Sequence, residues 1–348
     1  MLKKIERYFI SPIHPKLEIR RNKVASINEL AFMLKNKKNF DKMQKKVLRV
    51  ESISKTFSSV KALNNISFSI NQGDIFAFLG PNGAGKTTTL RILLDIIKAD
   101  DGQIEWNLDG NAHRIPKANQ IGYLPEERGL YLDIPILKSL TYLASIRGMD
   151  KTEAKKSALE WLERLGLADR AKEKLQVLSK GNQQKIQFIA SILHKPIFAI
   201  LDEPFSGLDP LNQELFIEFI REINNQGTTI LLSAHQMQLV EKIANKIFLI
   251  NKGEELYNGS LSKIYKTFEN KKIIELHYKS ALNENSLKNF KEAENIDVIE
   301  NSIVKLTFGQ NSDLKTVLSN LAQLEGDFDI STHKPDLHDI FLYLVKNH

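Results

Sequence analysis

Cysteine is absent from the 348 residues of this chain, and so is any apolar run long enough to cross a membrane. The first absence excludes disulfides, thiolate catalysis and metal sites built on cysteine. The second excludes an ordinary transmembrane helix, which needs about 18 consecutive apolar residues. The first residues are basic but lack the continuous apolar stretch of a signal peptide. These absences are compatible with a reducing cytosol.

Positive charge is concentrated at one end of the chain. Residues 1–46 hold 13 Lys and Arg against 4 Asp and Glu, whereas the other 302 residues hold 36 against 38. Because the body of the chain has no basic excess, we expect no nucleic-acid partner. The length predicts two domains with room for an appendage, and 42% apolar residues are typical of a folded globule.

The basic segment 1–46 contains one patterned stretch. Ser26 and Glu29 resemble a capping box. A short amphipathic helix follows, with apolar residues at helical spacing: Ile27, Leu30, Ala31 and Leu34. An extension or docked decoration is the favoured interpretation. Binding to an anionic membrane surface and a start of synthesis at Met43 stay open as alternatives.

Residues 47–262 alternate between strand-like and helix-like segments, which predicts an α/β domain with a parallel sheet. The predicted strands are Val47–Val50, Ile66–Ile70, Asp74–Leu79, Ile197–Leu201, Thr228–Leu232 and Ile247–Ile250. A helix is predicted over Thr87–Lys98. The middle, about 127–190, is more helical, with a helix over Glu153–Leu165.

Residues 264–348 have the pattern of a small α+β domain. Ile273–Tyr278 and Ile303–Phe308 alternate like strands. Two sets of residues have the spacing of single helix faces: Leu314, Val317, Leu318 and Leu321, then Leu337, Ile340, Phe341 and Leu344. No catalytic constellation occurs in this part.

A phosphate-binding pattern follows the strand that ends at Leu79. The residues are Gly80, Pro81, Asn82, Gly83, Ala84, Gly85, Lys86 and Thr87, followed by Thr88, and they match G-x-x-x-x-G-K-[ST]. Small residues let backbone N–H groups approach phosphate oxygens, and the next helix adds its positive end. Lys86 is predicted to reach the β- and γ-phosphates, and Thr87 to offer its hydroxyl to Mg²⁺.

A second chemical motif lies far downstream, where Phe198–Glu203 forms an apolar strand that ends in two carboxylates. Asp202 fits the acid that holds the Mg²⁺ shell. Glu203 fits a general base that polarises a water towards the γ-phosphorus.

With these motifs in this order, residues 47–262 resemble the ATP-binding cassette (ABC) ATPases. Leu178–Asn182 is similar to the signature motif, Ser206–Asp209 to the D-loop, and His235 to the switch histidine. Phe57 stands where the family stacks an aromatic ring on adenine. The resemblance therefore implies a P-loop ABC ATPase domain with a helical subdomain, which binds ATP and Mg²⁺ and hydrolyses ATP.

The resemblance also implies a dimer. In the family the signature motif binds the γ-phosphate of ATP held by the other subunit, so Ser179 and Gly181 would act on a partner, with Asp209 nearby. One chain carries one nucleotide domain, so two chains must face each other head to tail, in a closed two-fold arrangement. A homodimer is the simplest pair.

Two positions depart from the family pattern. Glu126 stands where the family usually has Gln; Glu can also ligate Mg²⁺, and this acidic form is similar to one branch of export ATPases. Lys180 and Asn182 replace the usual Gly and Gln of the signature motif. Because Ser179 and Gly181 remain, we expect the motif to function.

The tail 264–348 is similar to that of exporter ATPases of the sodium-extrusion and antibiotic-export kind. We therefore expect a cytoplasmic ATPase, peripheral at the inner face of the cell membrane, that moves a separate permease. The permease is expected to dock in a groove near Glu126 and the helical region after it. A soluble ABC ATPase acting on ribosomes is an alternative, although such proteins usually carry two nucleotide domains. A chromosome or repair ATPase needs a long coiled coil before the signature motif, and too few residues separate Lys86 from Leu178 to form one. A non-enzymatic regulator would not need Lys86, Asp202, Glu203 and His235, so their presence argues against that alternative.

Overall fold

The structure is a computed structural model that describes residues 45–127, 129–279, 287, 290, 293–299, 302–309, 312–324 and 326–347. The predicted amphipathic helix in the basic segment lies outside the described residues. Among the helices that the structure describes, none is long and apolar enough to cross a bilayer.

Strands and helices alternate along the described chain. The strands are β1 (Lys46–Phe57), β2 (Val60–Asn71), β3 (Ile75–Leu79), β4 (Asp101–Trp106), β5 (Ile121–Leu124), β6 (Phe198–Asp202), β7 (Thr229–Ala234), β8 (Lys246–Asn251), β9 (Glu254–Ser260), β10 (Lys272–Tyr278), β11 (Ala293–Ile299), β12 (Ile303–Phe308) and β13 (Phe328–His333). The helices are α1 (Lys86–Leu93), α2 (Ile136–Ile146), α3 (Lys151–Arg164), α4 (Lys180–Ile192), α5 (Pro210–Asn225), α6 (Met237–Glu241), α7 (Leu261–Thr267), α8 (Leu314–Leu321) and α9 (Leu337–Asn347).

A six-stranded sheet with the order β5-β6-β7-β3-β8-β9 runs through the larger part of the molecule. Its strands are parallel except for β9, which pairs antiparallel with β8 at one edge. Every residue of β3, β6 and β7 is buried, as expected for strands covered on both faces. The predicted α/β class with a parallel sheet is confirmed.

The two faces of this sheet pack against different partners because successive side chains of a strand point to opposite sides. Phe76 and Phe78 of β3 enter a core shared with α1 and with the antiparallel sheet β2-β1-β4. Ile75, Ala77 and Leu79 enter a second core, which contains residues of α2, α3, α4 and α5. The central sheet is therefore fixed from both sides, and the loops at its carboxyl edge rest on a rigid base.

Helix α3 of the helical region begins and ends at recognisable capping residues. The Asp150 carboxylate accepts hydrogen bonds from the backbone N–H groups of Thr152 (2.8 Å) and Glu153 (3.1 Å), which starts α3. Gly166 follows α3 with a φ of +68°, a conformation that glycine adopts at low cost.

The last part of the chain builds a four-stranded antiparallel sheet with the order β11-β12-β10-β13. Its own apolar core includes Leu276, Leu306 and Phe290, with Val317 and Leu321 from α8. Leu318 was predicted to share the face of Val317 and Leu321, but its side chain is 54% exposed. That part of the prediction is wrong, because the small core contains the side chains of Val317 and Leu321 but not that of Leu318.

The final helix, α9, packs on the larger core rather than on the small sheet. Its apolar residues Leu337, Ile340 and Phe341 are buried with residues of α6 and α7. On its polar side, the Asp339 carboxylate contacts Lys305 Nζ (3.0 Å) and His333 Nε2 (3.2 Å) of the small sheet. The helix thereby joins the two parts of the structure.

Candidate active site

The loop between β3 and α1 is shaped by two glycines that no other residue could replace without displacement. A Cβ on Gly80 would lie 2.2 Å from the Ile250 carbonyl oxygen. Gly85 has a φ of +107°, and a Cβ there would lie 2.6 Å from the Ala62 carbonyl oxygen. Gly85 also precedes α1 without a side-chain cap. The first backbone N–H groups of α1 are thus left for an anion.

Lys86 is drawn back into this loop. Its side chain is 6% exposed, and Nζ donates hydrogen bonds to the carbonyl oxygens of Gly80 (2.8 Å) and Pro81 (3.2 Å). Nζ also lies 3.7 Å from Glu203 Oε1. The ammonium group is therefore held at the floor of the loop, beside a carboxylate that carries the opposite charge.

The ends of β6 and β7 place Asp202 against the start of α1. Thr87 Oγ1 lies 3.4 Å from Asp202 Oδ1 and 3.5 Å from Glu126 Oε2. The Ser233 hydroxyl, on β7, donates to Asp202 Oδ1. Burial raises the pKa of the Asp202 carboxyl, and the nearby negative charges of Glu126 and Glu203 act in the same direction.

Glu203 occupies a turn that few non-glycine residues adopt, with a φ of +50°. Its backbone N–H donates to Ser233 Oγ at 3.0 Å, which secures this conformation. Its carboxylate Oε2 lies 2.8 Å from His235 Nδ1. A buried carboxylate between a lysine and a histidine is thus aimed at the mouth of the loop.

These groups surround one open pocket of about 260 Å³. Its lining residues are Ala62, Asn82, Gly83, Gly85, Lys86, Thr87, Thr88, Glu126 and Glu203. Gly80, Pro81 and Ala84 belong to the same loop but do not line the pocket. Phe57 does not line the pocket: it is 44% exposed beside the turn between β1 and β2.

The residues around Thr87 fit a hard cation such as Mg²⁺. Asp202 Oδ2 is buried and has no hydrogen-bond partner among the described residues. An oxygen ligand of this kind, with the Thr87 hydroxyl and the Glu126 carboxylate beside it, matches the preference of Mg²⁺. The structure, as far as it is described, brings no three His, Asp or Glu side chains into one metal-binding group. The remaining ligands would therefore come from phosphate oxygens and water.

The signature residues lie apart from this pocket. Ser179 is exposed and caps α4, where its hydroxyl accepts a hydrogen bond from the Asn182 N–H at 3.4 Å. Gly181 packs closely on the next loop, since a Cβ there would lie 3.0 Å from the Gly207 carbonyl oxygen. Asp209 caps α5 by accepting from the Asn212 N–H at 2.9 Å.

Sequence reasoning missed three polar residues that support the site. Ser233 binds both Asp202 and the backbone of Glu203. Gln184 and Gln187 of α4 are buried and donate to backbone carbonyls of the loops that follow β6 and β5. The only signal in the sequence is that Gln187 lies between Ile186 and Phe188, in the apolar part of the helix.

Comparison with known proteins gives the family. A family model described as ABC transporter matches residues 63–206. The uncharacterized ABC transporter ATP-binding protein YhaQ of Bacillus subtilis (strain 168) is 39% identical over 302 residues, which are 86% of this chain and 98% of that protein. The chain belongs to the ABC transporter ATP-binding proteins.

Other members of the ABC family agree with this assignment. The linearmycin resistance ATP-binding protein LnrL of Bacillus subtilis (strain 168) is 31% identical over 86% of this chain and 98% of that protein. A solved structure described as the ATP-binding subunit of an ABC transporter is 28% identical, with a TM-score of 0.59, and the match covers 64% of this chain and 93% of that one. The predictions of an ABC ATPase and a transporter subunit are confirmed, and the ribosomal alternative is not supported.

The buried Asp202 carboxylate makes a testable contribution to the stability of this ABC ATPase. Its raised pKa means that the folded state holds the proton more tightly than the unfolded state, whose pKa is near 3.8. Stability from this group therefore falls as pH rises above about 3.8. Without nucleotide, we expect Asp202→Asn to raise the melting temperature by about 2 °C or more at pH 7.5, because the uncompensated charge is removed.

Differential scanning fluorimetry at pH 7.5 and pH 4.0 would measure this effect, and the gain should shrink at pH 4.0, close to the unfolded-state pKa of 3.8. With ATP and Mg²⁺ we expect the order to reverse, because the Asp202 carboxylate is predicted to hold the cation more strongly than a neutral amide would. Asp169→Asn is a control, since this carboxylate is exposed on the surface. A lower melting temperature of Asp202→Asn at pH 7.5 without nucleotide would contradict the interpretation.

Proposed function

We propose that the ATP-loaded form is a head-to-tail dimer, with each ATP held between the loop Gly80–Thr88 of one protomer and the signature residues of the other. The observation that carries this proposal is the separation of the two motifs: Ser179, Gly181 and Asp209 do not line the phosphate pocket of their own chain. Ser179 is exposed at the start of a helix of 13 residues, whose N-terminus favours an anion. Two copies of the same chain supply both halves.

In this dimer, hydrolysis uses residues that already converge. Glu203 acts as general base for the attacking water, and His235 orients the Glu203 carboxylate through the 2.8 Å contact. Lys86 exchanges the carbonyls of Gly80 and Pro81 for the more negative phosphate oxygens. Mg²⁺, held by Thr87, Asp202 and Glu126, would supply charge neutralisation at the phosphates. Phe57 stacks on adenine from its exposed position at the β1–β2 turn.

Loss of the γ-phosphate removes the contacts that Ser179 and Gly181 make across the dimer. The two protomers then separate as rigid bodies. Hydrolysis of the bond to the γ-phosphate triggers this separation. We propose that this cycle moves a separate permease and that the protein works at the cytoplasmic face of the cell membrane. The likeness to a linearmycin resistance protein favours export.

An open apolar pocket in the helical region supports a docking site for the permease. The pocket has a volume of about 600 Å³ and is formed by α2, the start of α3 and Ala171. Tyr142 is exposed at its edge, and the rim carries Lys138, Lys151, Lys155 and Lys172. None of these four lysines forms an ion pair within the described residues. A cytoplasmic helix that is apolar on one face and acidic beside it fits this surface.

Reversing the charge of the pocket rim tests the docking site and the transport role together. The tagged full chain is purified from detergent-solubilised membranes of its own host, and co-purifying proteins are identified by mass spectrometry. The expected partner is an integral membrane protein with several apolar spans. Combined Lys138→Glu and Lys155→Glu should lower its recovery by about 10-fold or more, because like charges then face each other.

Lys156→Glu is the matched control, since this lysine lies on α3 outside the pocket and pairs with Glu160 at the surface. The control should recover the partner at the original level, and all variants should bind ATP equally. Full recovery with the double variant would contradict the docking site. Recovery of ribosomal proteins or DNA in place of a membrane protein would contradict the transport role.

A further inference from the structure

Two buried glutamines connect the signature helix to both catalytic loops of the same chain. Gln184 Nε2 donates to the carbonyl oxygens of Glu203 (3.4 Å) and Pro204 (3.2 Å). Gln187 Nε2 donates to the carbonyl oxygens of Pro125 (2.8 Å) and Glu127 (3.2 Å), which flank Glu126. The two side chains are 2% and 3% exposed, so water does not compete for these hydrogen bonds.

The pairing uses the full donor capacity of each amide. A glutamine NH₂ group carries two hydrogens, and each of these two groups faces two carbonyl oxygens. Those carbonyls follow the ends of β5 and β6, where the hydrogen bonds of the sheet have stopped. Buried carbonyls need a donor, and α4 supplies it from one face because Gln184 and Gln187 are three residues apart.

The position of α4 allows these contacts to transmit movement from the start of the helix to the two loops. Ser179 caps the helix, and Gln184 and Gln187 lie about 7.5 Å and 12 Å further along its axis. Strands β5 and β6 are parallel neighbours, so their two loops emerge side by side next to α4. A helix is stiff over this length, so a displacement at its N-terminus reaches both loops.

We propose that Gln184 and Gln187 are positioning residues, which transmit the contact between Ser179 and the partner's ATP to Glu203 and Glu126 of the same chain. This proposal rests on the proposed dimer, since only there does Ser179 face a nucleotide. The helix that contacts ATP in one site thereby positions Glu203 and Glu126 in the other site. Hydrolysis at each site depends on occupancy of both.

Replacement by methionine tests the proposal, because methionine keeps the shape of glutamine and removes the donors. In the full chain, Gln184→Met and Gln187→Met should each lower kcat for ATP hydrolysis by about 10- to 100-fold, with KM for ATP changed by less than about 3-fold. Combined with Glu203→Gln, each should still dimerise with ATP, because Ser179 and the phosphate loop are intact. Gln120→Met is the control, since Gln120 is buried at the opposite end of β5.

The possible results distinguish a failure of the positioning proposal from a failure of the proposed dimer. Unchanged kcat in both methionine variants would overturn the proposal. Equal loss of kcat and of ATP-driven dimerisation would also overturn it, because the glutamines would then only hold the helix in place. A Glu203→Gln protein that stays monomeric with ATP would overturn the dimer, and the proposal with it. A loss of kcat as large in Gln120→Met would show a general effect of buried glutamine and would count against positioning.

Discussion

Replacing Glu203 with Gln is expected to lower the rate of ATP hydrolysis by about 1,000-fold and to leave an ATP-bound dimer that does not separate. Glutamine keeps the size of the side chain and the turn at φ +50°, but it cannot accept the proton of the attacking water. Dimer closure requires ATP binding, whereas opening requires loss of the γ-phosphate. The variant should therefore stop the cycle after closure.

Phosphate release would measure the rate, and size-exclusion chromatography with light scattering would measure the mass with ATP, with ADP and without nucleotide. Glu214→Gln is a suitable control because this carboxylate lies on the surface of α5, paired with Lys242. It should hydrolyse ATP normally and show no stable dimer. A Glu203→Gln protein that binds ATP but elutes as a monomer would contradict the shared-nucleotide arrangement.

Removing the Lys86 ammonium is expected to weaken ATP binding by about 100-fold. A charged hydrogen bond of the kind that Nζ would make to the β- and γ-phosphates contributes about 1.5–3 kcal/mol, which corresponds to roughly 10- to 150-fold in affinity. Lys86→Ala removes this donor from the centre of the pocket. The loss should be larger for ATP than for AMP, because AMP does not reach Nζ.

Isothermal titration calorimetry with ATP and AMP would give both affinities. Because Nζ also binds the carbonyls of Gly80 and Pro81, Lys86→Met should be measured beside the alanine variant, with melting temperatures to show that both fold. Lys195→Ala is a surface control. Unchanged ATP affinity in both folded Lys86 variants would refute the assignment of the phosphate loop.

Much of the fold could be predicted because its signals are local. The apolar run of β3 is followed by a glycine-rich loop and a helix. About twenty residues of sequence are therefore enough to predict this local structure. The predicted strands Ile273–Tyr278 and Ile303–Phe308 correspond to β10 and β12 within one residue. Period-2 alternation reports burial on one face, and that is a property of each strand alone.

The features that escaped prediction depend on which elements meet. The apolar face of α9 indicates that it packs, but not that it packs against α6 and α7 instead of the small sheet. The helical spacing of Leu318 does not reveal that its side chain is exposed. Gln184 and Gln187 look like ordinary polar residues until the loops after β5 and β6 are placed next to them. Long-range contacts of this kind cannot be recognised from the sequence of a single segment.

The return of the last helix to the larger core has a consequence for synthesis on the ribosome. Phe268 and Phe341 belong to the same apolar cluster, although about 70 residues separate them along the chain. At about 5–20 residues per second, translation of that interval takes on the order of 10 s. During this time the nucleotide-binding part emerges from the ribosome before α9 has been made. The apolar surface around α6 and α7 is then exposed to solvent. Nascent chains of this protein are therefore expected to bind chaperones in the interval between the synthesis of α7 and that of α9.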